Sequence, residues 1–400
     1  MPSLDSVTAG FLPLTDSAIL VAAREIGFAE EEGIALSLLR ETSWANIRDR
    51  MAVGHFDAAH MLAPMPIAAN LGLTPLSVPL IAPMAMGLGG NAVTVSHALW
   101  EAMLSAGAGP EVEPAAAGRA LRQVVDKRSE LNAACLRFGV VHTHSGHNFE
   151  LRYWLAASGI VPDRDIEIVI LPPPLMADAL ASGRIDGFCV GEPWNSAAVA
   201  AGAGRIVTLK AAIWRSSPEK VLGVRSDWAE AKPDLLARLI RALYRSAEWC
   251  GKAGAHDRLS EILSGPDYLN QPPRLIRRAL EGRLEIAKGS VFLADDFFLP
   301  FARAATFPWQ SHALWFYSQM VRWQQVAHDP GHAEIARRSF RPDLYRSALD
   351  PLGDNLPDTD LKVEGAQTGT PEAPLGPDGF FDGILFDPGK LDAYIQLQAG

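Results

Sequence analysis

Four hundred residues, 48% hydrophobic and 20% charged, exceed what one compact core encloses, so two lobes or domains of an ordinary globular protein are expected. A net charge of −10, from 46 acidic against 36 basic residues with no Lys/Arg cluster, argues against a nucleic-acid surface. Three cysteines (Cys135, Cys189, Cys250) stand far apart with no C-x-x-C, which argues against a disulfide framework or zinc knuckle and suits a reducing interior.

The start of the chain offers no secretory pattern. Its first basic residue is Arg24, with Asp5 and Asp16 before it, and no unbroken apolar run follows. A cytoplasmic protein is expected on that ground. "SVTAGFLPLTDSAILVAAREIGFAEEEGIALSLLRE" predicts a strand, a Pro turn, a helix with Ile19, Leu20, Ala23 and Ile26 in spacing, and a second strand over 34–39. In "TSWANIRDRMAVGHFDAAHML", Thr42 or Ser43 caps a helix that Gly54 ends, and 58–62 is a short buried strand. The most apolar stretch, 61–90, carries five prolines, a density that forbids a continuous membrane-spanning helix.

A second block repeats the alternation. Strands are predicted over 136–141 and 166–171, the latter ended by Pro172-Pro173-Pro174, with helices over 148–157 and 176–182 and a further strand in "RIDGFCVGEPW". From about 226 the pattern turns helical, over 227–251, 257–263, 273–285 and 311–326. Residues 350–380, rich in Pro, Gly and Asp, read as an extended tail. The fold class is therefore α/β: two α/β lobes with a hinge and a helical C-terminal part. The expected division gives 1–92 plus about 206–400 to one lobe and about 93–205 to the other. A ligand is expected in the cleft, beyond the carboxyl ends of the strands.

The candidate site residues lie where strands end. His142, His144 and His147 fall in a strand-to-helix turn. Three readings are open there: a metal site, one histidine donating to a ligand, or plain turn histidines. An anion suits the position better than a metal, because the following helix start offers free N–H groups beside His147. The glycines of "GLGGNAVTVS" match neither a P-loop nor a dinucleotide loop and read as a hinge strand that presents Asn91. Lys220 enters a strand either solvated or aimed into the cleft. Trp44 is either core or a flat wall. Glu192 and Trp194 of "CVGEPW" are secondary candidates, and no nucleophile elbow or Cys/His pair supports an enzyme.

Taken in order, "GFLPLTDSAILVAAREIGF", "TSWANIRDRM", "AAHMLAPMPIA", "GHNFELRYWLAASG", "CVGEPW", "PEKVLGVRSDW", "SHALWFYSQMVRW" and "FFDGILFDPGKLDAYI" resemble the nitrate-binding protein family. That family includes solute-binding subunits of cyanobacterial nitrate and bicarbonate ABC transporters and the cytoplasmic nitrate/nitrite sensor NasS. The resemblance implies a type II periplasmic-binding-protein fold and a nitrate site made by Trp44, Asn91, His147 and Lys220. Gly90 and Gly146 would offer backbone N–H groups, and Asn91 stands where transporter members often carry Gln. It also implies nitrate or nitrite as ligand, no enzyme activity and no metal or other cofactor, Lys220 making the calcium of bicarbonate-binding relatives redundant. On the NasS pattern, the partner is a NasT-like antiterminator, with no direct nucleic-acid or membrane contact. The alternatives are a transporter binding component and, on the same fold, an enzyme using the histidines.

Overall fold

Strands buried along their whole length need cover on both faces, and this chain has several. Ala58–Leu62 and Gly187–Gly191 are buried throughout. The computed structural model describes residues 4–366 and 375–398. In chain order its strands are β1 Asp5–Phe11, β2 Ile34–Arg40, β3 Ala58–Leu62, β4 Leu80–Ala85, β5 Leu88–Gly89, β6 Asn91–Ser96, β7 Leu136–Val140, β8 Ile166–Ile170, β9 Gly187–Gly191, β10 Gly204–Leu209, β11 Lys220–Arg225, β12 Arg283–Ala287, β13 Ser290–Leu293 and β14 Phe298–Leu299.

Two five-stranded sheets carry the lobes, in the orders β2-β1-β3-β11-β4 and β10-β6-β9-β7-β8. In the first, β1 runs parallel to β2 and β3, and β11 returns antiparallel between β3 and β4. In the second, β7 runs parallel to β8 and β9, and β6 is antiparallel to β9 and β10. The architecture is the expected two-lobed α/β fold. The chain crosses outward through the glycines before β6 and returns through residues 210–219.

The outward crossing needs glycine. Gly89 has φ +77°, and a Cβ there would meet the Phe297 carbonyl oxygen at 2.2 Å, because β5 pairs with β14. Local signals set the helices that carry site residues. Ser43 caps Trp44–Ala52 by accepting from Asn46 N–H, and Ser145 caps Gly146–Ala157 by accepting from Asn148 N–H at 3.0 Å.

The helical C-terminal part differs from expectation in two places. Pro233 divides the predicted 227–251 helix into Ser226–Ala231 and Pro233–Cys250, since proline has no N–H to continue the ladder. The predicted 273–285 helix stops at Leu280. Gly282 turns the chain with φ +63°, and β12 then buries Leu284 and Ile286 in alternation to form a hairpin with β13. Of the predicted tail, 367–374 lie outside the described residues. The remainder folds back through bridges Trp214–Phe380 and Glu364–Phe386, with Phe380 stacked on Trp214 at 4.7 Å.

Candidate functional site

Polar side chains from both lobes meet at the ends of the strands. From the first lobe come Asp16 in the turn after β1, Trp44 at the first turn of its helix, His60 in β3 and Lys220 at the start of β11. From the second come Asn91, opposite Gly191 in the β6–β9 register, and His147 near the start of helix Gly146–Ala157. All six are buried, Asn91, His60, His147 and Lys220 completely.

Lys220 is the centre of the group. Its Nζ lies 2.7 Å from Asp16 Oδ2, 2.9 Å from Glu219 Oε1 and 5.4 Å from the centroid of the Trp44 ring. His60 Nε2 is 3.0 Å from Asp16 Oδ1, and its ring is 5.7 Å from that of Trp44. His147 Nδ1 is 3.1 Å from Glu219 Oε1. Asn91 belongs to the same space: a Cβ placed on Gly191 would touch Asn91 Oδ1 at 3.1 Å and lie 3.7 Å from Asp16 Oδ2.

Behind this layer lies a second buried cation. Lys210 donates to the Pro218 carbonyl at 2.8 Å and to Glu219, and its Nζ is 3.1 Å from Glu150 Oε1. Ser217 donates to Glu150 as well. Glu219 thus bridges two lysines and His147. Gly146 leaves room for it, since a Cβ there would come within 2.3 Å of Glu219 Oε2.

The electrostatics follow from burial and pairing. Burial alone would raise the Asp16 carboxyl, but Lys220 and His60 hold it at about 2. Glu219 is likewise held below the usual carboxylate range, burial being outweighed by His147, Lys210 and Lys220. Burial pushes Glu150 up to about 8, with Glu219 adding to it against the pull of Lys210, so Glu150 keeps its proton near neutrality. Burial also lowers His147 to about 3 and lowers His60, so both rings are neutral. The positive charge in this layer therefore rests on Lys220 rather than on a protonated His147. Two lysines balance two carboxylates, and the cluster is close to neutral.

Glu150 gives stability a pH dependence. Its acid form is favoured by folding, so the contribution is full below the ordinary value of 4.5 and is lost as pH rises toward about 8. The thermal stability of the parent protein is expected to fall over that window. Glu150→Gln should flatten the slope by about 2 kcal/mol between pH 6 and 8. Unchanged slopes in the two proteins would remove Glu150 as the source.

Buried polar atoms without partners are uncommon, and here they converge. Trp44 Nε1, Asn91 Nδ2 and Oδ1, His147 Nε2, His60 Nδ1 and Thr15 Oγ1 all lack a hydrogen-bond partner. Together with Lys220, the Trp44 and Asn91 N–H groups can offer a small polar group donors and one cation, while the neutral His147 and His60 rings, whose other nitrogens face the Glu219 and Asp16 carboxylates, present acceptor nitrogens.

The sequence reading named Trp44, Asn91, His147 and Lys220, and the fold brings these four together. Gly146 also borders the group. Gly90 is adjacent, but its N–H donates to the Phe297 carbonyl at 2.6 Å and is not a free donor. Glu192 is buried at the crossing, where its N–H donates to the Gly90 carbonyl and burial raises its carboxyl to about 7. Trp194 joins the lobes by donating to the Pro13 carbonyl at 3.0 Å. His142 and His144 pair with each other: the His144 N–H donates to His142 Nδ1 at 3.0 Å. Among the described residues no group of three His, Cys, Asp or Glu side chains is arranged to hold a metal. Sequence reasoning missed Asp16, His60, Glu150, Lys210 and Glu219.

Comparison with known proteins places this geometry. The model of the NMT1-like family matches residues 1–264. The chain belongs to the NMT1-like family. The nitrate import ATP-binding protein NrtC of Synechocystis is 34% identical over 97% of this chain and 54% of its own length, so the chain spans about half of that relative. The nitrate/nitrite binding protein NrtA of a Nostoc species is 29% identical over 97% of this chain and 84% of the relative. The crystal structure of the periplasmic nitrate-binding protein NrtA from Synechocystis superposes with a TM-score of 0.87 at 26% identity, covering 98% of each chain. The type II periplasmic-binding-protein fold implied by the sequence is therefore the fold of this member.

Proposed function

We propose that this chain is a binding protein, not an enzyme, for nitrate or nitrite. The observation that carries the reading is the pair of unpartnered donors, Trp44 Nε1 and Asn91 Nδ2, beside the buried Lys220, with the neutral His147 ring lining the same space. Nitrate is planar, monovalent and weakly hydrated. It is served by a few neutral N–H donors, one cation and a flat aromatic wall, which Trp44 supplies. Charge-assisted hydrogen bonds contribute on the order of 1.5–3 kcal/mol each. A micromolar complex needs about 8 kcal/mol, so four or five such contacts suffice after ordering costs. The relatives named for nitrate and nitrite binding support the same ligand. Calorimetry is expected to show binding of nitrate and nitrite without added metal, and absence of heat with both ions would end the proposal.

In its finer form the proposal is a cytoplasmic sensor in which nitrate or nitrite biases lobe closure and releases a NasT-like antiterminator. The ligand shifts that equilibrium only by its differential affinity for the two states. Three free cysteines, Cys135 among them exposed, suit a reducing compartment. The second reading is the solute-binding component of a nitrate or bicarbonate ABC transporter, and the transport names of the relatives favour it, bicarbonate among them. Co-purification decides between the two. An antiterminator that dissociates on nitrate supports the sensor, whereas association with a permease or its ATPase supports transport.

A further inference from the structure

The charge that Lys220 brings to the site is already matched. Two carboxylates approach its Nζ, Asp16 Oδ2 at 2.7 Å and Glu219 Oε1 at 2.9 Å. An ammonium has three N–H donors, so one is left for a ligand. Neither carboxylate can retreat into water. Asp16 is 4% exposed and has His60 at 3.0 Å, and Glu219 is 1% exposed, held by Lys210 and with His147 Nδ1 at 3.1 Å. The remaining donors at the site, on Trp44 and Asn91, are neutral.

We propose that Asp16 and Glu219 are specificity-determining residues that restrict this site to anions carrying a single negative charge. The proposal rests on the anion-binding reading above and adds the rule by which anions are sorted. A monoanion beside Lys220 meets one cation whose field two carboxylates have reduced. A dianion brings a second charge with no cation to match it, in a buried cluster where Coulomb terms are weakly screened. Two lysines without these carboxylates would favour the more highly charged ion. The carboxylates therefore select against dianions by repulsion.

Shape can be separated from charge with perchlorate and sulfate, tetrahedral ions of similar size that differ by one charge. Each is titrated calorimetrically in competition with nitrate. The wild type is expected to prefer perchlorate over sulfate by at least thirtyfold, and Asp16→Asn and Glu219→Gln should each shrink that preference at least tenfold. A wild-type preference below threefold overturns the proposal, and so does an unchanged preference in both folded variants. Rejection of both tetrahedra by wild type and variants alike also overturns it, in favour of exclusion by shape. If a variant does not fold, the wild-type ratio alone decides. Failure of the underlying reading is distinct, since it shows as absence of heat with nitrate and nitrite themselves.

Discussion

Lys220→Met is expected to weaken nitrate binding at least 100-fold. Methionine nearly matches the lysine in length and apolar stem, so packing against Trp44 survives and the change is chiefly one of charge. Two losses coincide. The ligand loses its one direct cation, a contact worth about 1.5–3 kcal/mol. The site also changes sign, because Asp16 and Glu219 lose the ammonium that lies within 2.9 Å of each. Stranding a buried charge costs about 3–5 kcal/mol, and the protein can reduce that cost by protonating Asp16, whose carboxyl Lys220 helps to hold at about 2. The expected net is therefore about 3 kcal/mol in binding, with a smaller loss in stability. Calorimetry measures the first and a thermal melt the second. Binding within fivefold of wild type would show that Lys220 does not contact the ligand.

What the sequence revealed, and what it hid, follows from where each signal lives. Caps, prolines and apolar runs act over a few residues, so β3 and Ser43 were legible, and the same local rules put Trp44 and His147 at helix starts. The hidden residues act over long separations. Asp16 and Lys220 are 204 positions apart, and nothing in "LTDSA" marks its aspartate as the partner of a lysine. His60 sits alone in a fully buried strand, where a histidine reads as core. Glu219 was hidden by periodicity. Neighbours in a strand point to opposite faces, which would separate it from Lys220. In the fold Lys220 begins β11 and Glu219 precedes it, outside the ladder, so both side chains reach the cleft. The hairpin at 283–293 was hidden by its helical neighbour, the alternation of Leu284 and Ile286 being only two residues long.

Lys210→Met is expected to destabilise the protein by about 3 kcal/mol, and most of that cost should vanish in the background of Glu219→Gln. Lys210 is 1% exposed and ties three elements together. It holds Glu219 and the Pro218 carbonyl on the returning crossing, and Glu150 one turn beyond His147 on the second lobe's helix. Removing the cation leaves Glu219 with only Lys220 and the neutral His147 ring, a buried carboxylate half compensated. Glu150 loses less, because burial has already raised it to about 8 and it carries its proton. The coupling should therefore be large with Glu219 and small with Glu150. A double-mutant cycle should give at least 1 kcal/mol for the 210–219 pair and clearly less for 210–150. Equal coupling in both cycles would mean that Lys210 serves the two carboxylates alike, and additive losses would mean that it acts by packing alone. Nitrate affinity supplies an independent readout. Freed from Lys210, Glu219 is drawn toward Lys220 and competes with the anion, so Lys210→Met should bind more weakly, and Lys210→Met with Glu219→Gln should recover affinity that the single change loses.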